Sequence, residues 1–163
     1  MDQTTSGKSD NHFISIAINL AREGMRKNAG GPFGAIVVKN QEIVGYGHNQ
    51  VTSSHDPTAH AEVVAIRDTC QKLGTFELNG CIIYTSCEPC PMCLGAIYWA
   101  RIDQVVFAAT RHDAAQANFD DEWLYQEIPL VWEERKLDYQ QIGQSEAVKL
   151  FEEWNAKLDK VRY

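Results

Sequence analysis

Two short motifs thirty residues apart place the strongest constraint on how this chain folds: His60-Ala61-Glu62 and Pro89-Cys90-Pro91-Met92-Cys93. Imidazole nitrogen and cysteine sulfur are donors that zinc prefers, and a catalytic zinc commonly takes three protein ligands and keeps a fourth position open. His60, Cys90 and Cys93 meet that count. The i, i+3 spacing of Cys90 and Cys93 puts both sulfurs on one helix face, while His60 is expected in the first turn of another helix. A fold that uses these residues together must bring two helix beginnings to one point. The partial positive charge of those N-termini then favours thiolates. Glu62 is the carboxylate left over. Held beside the metal without binding it, it is placed to take a proton from water and deliver it elsewhere.

Each piece also has a plainer reading. A lone C-x-x-C serves as a structural zinc half-site or a redox pair, and His-Ala-Glu arises by chance. A structural zinc wants a fourth protein ligand, for which Cys87 is the candidate, and the result would be a non-enzymatic zinc module. That alternative leaves Glu62 without a role. The five cysteines form an odd set without a secreted-domain framework, so reduced thiols are expected.

At 163 residues with 44% hydrophobic content, the chain is expected to form a single domain over 1–163. Its longest apolar stretch, Leu94 to Ala100, falls far short of the roughly 20 residues that span a bilayer. The opening Met1-Asp2-Gln3 carries no basic leader, and a cytoplasmic location with no membrane partner is expected. The net charge is -7, and between Asp113 and Glu134 there are seven acidic residues and no Lys or Arg. Binding a phosphate backbone needs clustered cations, so the charge argues against a nucleic-acid partner.

Periodicity sketches the elements. Asp10 or Asn11 is expected to cap a first helix with Phe13, Ile16, Ala17, Leu20 and Gly24 on one face. Gly30-Gly31-Pro32 breaks the pattern, and Phe33 to Val38 and Glu42 to Gly47 read as a hairpin turning at Lys39-Asn40-Gln41. Asp56-Pro57 reads as the start of the next helix, with Ala59, Val63, Ile66, Cys70 and Leu73 inward and Gly74 as its stop. Cys81 to Thr85 is a buried strand, about Pro89 to Tyr98 a helix, and Gln104 to Ala109 another strand. This alternation implies a layered α/β domain with some parallel pairing. From Ser145, Val148, Phe151, Trp154, Leu158 and Val161 recur along one helical face.

H-x-E followed by P-C-x-x-C is the signature of zinc-dependent nucleobase deaminases. Further segments carry the likeness: Gly31-Pro32-Phe33-Gly34-Ala35, Asn49, Asp56-Pro57-Thr58-Ala59 before His60, and Thr85-Ser86-Cys87-Glu88 running through the cysteines to Ala100. The chain thus resembles the cytidine-deaminase-like superfamily. Through Asp113-Ala114-Ala115, Phe119-Asp120-Asp121, Tyr125, Glu127-Ile128 and Tyr163, it most resembles the small bacterial guanine deaminases.

That resemblance implies a three-layer α/β/α fold with a central mixed sheet and one zinc per subunit. It implies hydrolysis of guanine to xanthine and ammonia by a zinc-activated water, with Glu62 as proton shuttle and Asp121 sharing proton transfer. Asn49 and Asp121 would hydrogen-bond the base, and Phe33, Ala61, Trp99 and Tyr163 would line its pocket. Acidic acceptors suit the N–H groups of a purine base, and flat aromatic faces suit its ring. It further implies a homodimer in which the C-terminal helix, 145–163, is exchanged between subunits. Glu88 is expected to cap or orient the cysteine-bearing helix. The same machinery would also serve a tRNA adenosine deaminase, or a deaminase of cytosine or a triazine such as ammeline.

Overall fold

The structure, a computed structural model, describes residues 9–119 and 121–163. The chain divides into two compact units between Glu122 and Trp123. In the first unit, a mixed sheet has the order β2-β1-β3-β4. Strands β1 (Gly34–Lys39) and β2 (Glu42–His48) form the expected hairpin. Its tip is Asn40-Gln41, both with positive φ, the backbone that suits a tight two-residue connection. β3 (Cys81–Cys87) pairs antiparallel to β1, and β4 (Gln104–Ala109) pairs parallel to β3.

The strand pattern explains the layering, because successive side chains point to opposite faces. Ala35, Val37 and Ile83 face one core with Ala65, Ile66 and Ile97. Ile36, Val38 and Tyr84 face the other core with Phe13. Helix α1 (Asp10–Arg26) supplies Phe13 and covers that second face. α3 (Ala61–Leu73) and α4 (Pro91–Trp99) supply the first. The result is the three-layer α/β/α arrangement with a mixed sheet. Phe13 is fully buried against the Tyr84 ring at 4.9 Å, a burial that contributes on the order of 1.5–3 kcal/mol.

Glycines set how closely helix and sheet approach. A Cβ on Gly47 would lie 2.1 Å from the Ala61 carbonyl oxygen, and one on Gly34 would lie 2.2 Å from that of Ala17. Only a strand without side chains at these points lets α3 and α1 lie down so tightly. The Gly47 contact fixes the first turn of α3.

Several element starts differ from expectation. Ser9, not Asp10 or Asn11, occupies the N-cap of α1, and the Asp10 carboxylate accepts the Tyr84 hydroxyl at 2.7 Å. α3 begins at Ala61 rather than at Asp56-Pro57. Asp56 instead accepts the Thr58 N–H at 2.8 Å and its hydroxyl at 2.7 Å, closing a local turn that consumes its capping capacity. A one-turn helix, α2 (Val51–Ser54), precedes that turn. α3 ends as expected at Gly74, with φ 65°, but Leu73 is exposed. α4 starts two residues later than expected, with Cys90 at its N-cap and Pro91 first. After β4, α5 (Arg111–Gln116) opens on a reciprocal cap between Thr110 and Asp113.

The second unit contains α6 (Glu122–Glu127) from Trp123 onward, a 3₁₀ turn at Trp132–Glu134 and α7 (Gln144–Ala156). Its connecting segment is organised by Arg135, whose guanidinium donates to the carbonyls of Leu130 (2.9 Å) and Ile128 (3.0 Å) and to the Tyr139 hydroxyl (3.0 Å). Leu158 and Val161 lie beyond α7, so the expected apolar stripe is helical only through Trp154. No helix among the described residues is long and apolar enough to cross a membrane.

Candidate active site

The N-termini of α3 and α4 meet, and the residues at those two N-caps are His60 and Cys90. Both have extended backbone and neither side chain caps its own helix. They are engaged with each other: His60 Nδ1 lies 3.6 Å from Cys90 Sγ and 3.5 Å from Cys93 Sγ. The three donor atoms all lie within 4.8 Å of one another. A tetrahedral zinc with ordinary bond lengths holds a sulfur and a nitrogen ligand about 3.5 Å apart. The donor spacing and the soft, mixed sulfur–nitrogen chemistry therefore fit zinc. Among the described residues this is the group able to hold a metal ion.

Electrostatics in the cluster follow from shared protons. The interaction with Cys93, and then that with His60, holds the Cys90 thiol well below the usual range, while the same interaction with Cys90, then burial, pushes Cys93 up. The hydrogen bond with Cys90 raises the proton affinity of His60. Cys87 behaves differently. Its sulfur donates to the Thr110 carbonyl at 3.6 Å, and burial pushes its thiol up to about 11. It stands outside the donor group.

Glu62, the second residue of α3, is only 6% exposed. Thr85 Oγ1 donates to one of its oxygens and Cys93 Sγ to the other, both at 3.5 Å. Burial pushes its carboxyl above the ordinary range, and the Cys90 sulfur adds to the push. A carboxylate so held is a stronger base than an exposed one.

These groups open into a cavity of ≈ 330 Å³, the scale of one small molecule. Phe33, Asn49, His60, Glu62, Cys90 and Asp121, all singled out in the sequence, line it. Asn49 is buried at 6% exposure, and its Oδ1 accepts the backbone N–H groups of Gly31 and Val51, each at 3.2 Å. A Cβ on Gly30 would lie 2.1 Å from that oxygen, so the amide is also seated sterically. Burial, then the nearby Cys90 sulfur, raises the carboxyl of Asp121.

Other expected residues lie elsewhere. Ala61 is fully buried between His60 and Glu62 and does not line the cavity; its carbonyl abuts Gly47. Trp99 ends α4 at 64% exposure, under the Arg101 guanidinium, and is not among the lining residues. Tyr163 belongs to the second unit and is 76% exposed. Glu88 does not cap the cysteine-bearing helix: its carboxylate accepts the Arg111 N–H at 3.0 Å, at the start of α5.

The cavity also contains residues that periodicity and motif spacing did not single out, notably Arg111 and Phe119. Arg111 opens the short α5 and Phe119 follows it, in a stretch without a repeating apolar pattern. The signal for Phe119 was the resemblance carried by Phe119-Asp120-Asp121; none marked Arg111.

Three zinc donors at two helix starts, a buried carboxylate beside them and a small-molecule cavity define a zinc-dependent deaminase. The cytidine and deoxycytidylate deaminase zinc-binding region matches residues 7–109, and the chain belongs to that family. It is 51% identical to the guanine deaminase of Bacillus subtilis over 93% of this chain and 97% of that one. The crystal structure of the B. subtilis guanine deaminase superposes with a TM-score of 0.93 over 96% of this chain and 99% of that one, at 49% identity. A guanine deaminase from Nitrosomonas europaea gives a TM-score of 0.65 at 29% identity, covering 71% of this chain and 66% of that one. The tRNA-specific adenosine deaminase of Aquifex aeolicus is 43% identical over 60% of this chain and 64% of its own.

Proposed function

We propose that this protein hydrolyses guanine to xanthine and ammonia, using one zinc per chain. The observation that carries this reading is the reach of the likeness to the B. subtilis enzyme. Its 151 residues leave only a dozen of this chain outside, so they include most of the chain beyond residue 109, where Arg111, Ala114, Phe119 and Asp121 line the cavity. The tRNA-specific relative matches only 98 residues. The acidic balance of the chain and the two carboxylates, Glu88 and Asp121, that line the cavity beside Glu62 also favour a small neutral base over a polyanion.

Each residue then has a task. Asn49 spends its Oδ1 on two backbone N–H groups, so its Nδ2 is the donor offered to an acceptor on the base. Asp121 accepts from the amino side, and Phe33 gives the ring a flat apolar face. When bound at His60, Cys90 and Cys93, zinc supplies Lewis-acid activation of a water. Glu62 would take one proton of the attacking water to a ring nitrogen and then carry its second proton to the departing amine. A carbon–oxygen bond forms at carbon 2, the carbon–nitrogen bond breaks, and the amine leaves as ammonia.

The active form in this reading is a cytoplasmic homodimer in which 145–163 crosses to the partner and Tyr163 completes its pocket, with Trp99 as a further part of the enclosure. Supporting it, Phe151, Leu158, Val161 and Tyr163 are all more than 60% exposed, a set of apolar groups that calls for a cover. Light scattering on the purified protein should return twice the mass of the 18.4 kDa chain; a monomer active at the same concentration contradicts the exchange.

The substrate is tested by offering zinc-loaded protein guanine, cytosine, ammeline and an adenosine-containing tRNA while ammonia release is followed. Guanine should be turned over in strong preference to the others. Turnover of tRNA without turnover of guanine would overturn the reading.

A further inference from the structure

Phe119 stands outside the metal motif, yet its ring lies 4.9 Å from that of Phe33 at an interplanar angle of 86°. That is the edge-to-face arrangement in which the positive rim of one ring meets the negative face of the other. The two rings come from segments far apart in sequence and both line the cavity. Phe33 is the fixed partner. Its N–H donates to the Gly31 carbonyl, and its own carbonyl accepts the Asn49 N–H, both at 2.9 Å. A Cβ on Gly31 would come within 3.1 Å of the Phe33 ring and 3.2 Å of Phe119, so the missing side chain leaves room for the rings to meet.

Phe119 follows the last turn of α5. There its N–H is held by the Ala114 carbonyl at 3.0 Å, and Asn118 turns the chain with φ 65°. Asp121 comes two residues later, and two residues of chain reach at most about 7 Å. Wherever the Phe119 ring is seated, Asp121 must be close by.

We propose that Phe119 is a positioning residue: by packing its ring edge-to-face with Phe33, it ties its end of α5 to the start of β1 and so sets the Asp121 carboxylate in the cavity. This rests on the use of Asp121 in the guanine reaction described above. The substrate wall and the Asp121 acceptor are in this way one mechanical unit, spanned by a single aromatic contact.

The test is a double-mutant cycle on the zinc-loaded full chain, with kcat/KM for guanine, zinc content and melting temperature measured for each variant. An edge-to-face pair of ordinary strength makes Phe119→Leu about 2- to 12-fold slower in kcat/KM with zinc content unchanged. Phe119→Tyr, which keeps the ring edge, should restore the wild-type value within about two-fold. Asp121→Asn alone should lose at least about tenfold. In that background the further cost of Phe119→Leu should nearly vanish, because the group it positions is gone. An undiminished cost in the Asp121→Asn background overturns the proposal while leaving the role of Asp121 standing, as does a Phe119→Leu variant as active as wild type. An Asp121→Asn variant with full activity removes the Asp121 assignment itself, and the proposal with it.

Discussion

Gly47→Ala is a one-methyl perturbation whose consequence follows from the packing. The added Cβ would lie 2.1 Å from the Ala61 carbonyl oxygen and 2.6 Å from the Ala65 nitrogen, both backbone atoms that no rotamer change can move aside. The first turn of α3 must retreat by roughly 1 Å to restore an ordinary contact. His60 and Glu62 flank Ala61, so the metal ligand and the proton shuttle retreat together. Overpacking of this kind costs about 1–3 kcal/mol of stability, and a 1 Å misplacement of a catalytic group costs about 100-fold in rate. Gly45→Ala is the control. Its Cβ would meet the buried Thr69 hydroxyl at 1.9 Å and the Ala65 carbonyl at 2.9 Å, so it overpacks the same helix further along, away from His60 and Glu62. Steady-state kinetics, zinc analysis and thermal unfolding should show Gly47→Ala losing far more activity than Gly45→Ala at similar stability. Gly47→Ala within about three-fold of wild-type kcat/KM, with full zinc, would refute the claim that this contact sets the site.

Glu62→Gln should retain zinc, since Glu62 is not in the donor group, and lose about 10²- to 10⁴-fold in kcat; metal loss by zinc analysis would instead make it a ligand. Cys87→Ala should keep zinc where Cys90→Ala does not, because Cys87 bonds the Thr110 carbonyl outside the donor group; equal zinc loss in the two would restore Cys87 as a fourth ligand. Burial, then the bond to Asp10, pushes the Tyr84 phenol from 10.0 up to about 12. Folding thus favours its neutral form, so that this contribution to stability is fully present below pH 10 and is lost as pH rises through about 12. Tyr84→Phe should lack that part of the alkaline decline in denaturant titrations, and an unchanged decline would show that Tyr84 does not contribute to it.

The parts of the site that were legible in the sequence are those whose chemistry is carried by residue type and short spacing. His60, Cys90 and Cys93 were recognisable as a donor set because few other residue types bind zinc and because the spacing suits a helix start. The sheet was legible for a similar reason: in Gly34–Lys39 an unbroken apolar run marks a strand buried on both faces. What failed was competition between local polar groups. Asp56-Pro57 has the composition of a helix start, but the carboxylate of Asp56 closes a turn with Thr58 and the helix waits until Ala61. Glu88 sits one residue before Pro89 and two before the α4 cap, yet its carboxylate bonds across to the start of α5. Arg111 and Phe119 reach the cavity through tertiary contacts from short elements, which no periodicity marks. Trp99 was placed in the pocket by the family resemblance alone, and in the single chain it is exposed.

The central claim is that water and zinc replace the amine of guanine with oxygen, and isotope incorporation tests it most directly. In oxygen-18 water, zinc-loaded protein should convert guanine to xanthine carrying one label, with one ammonia released per turnover, and a chelator should abolish both until zinc is restored. Xanthine without the label, or none at all from fully zinc-loaded protein, would contradict the account.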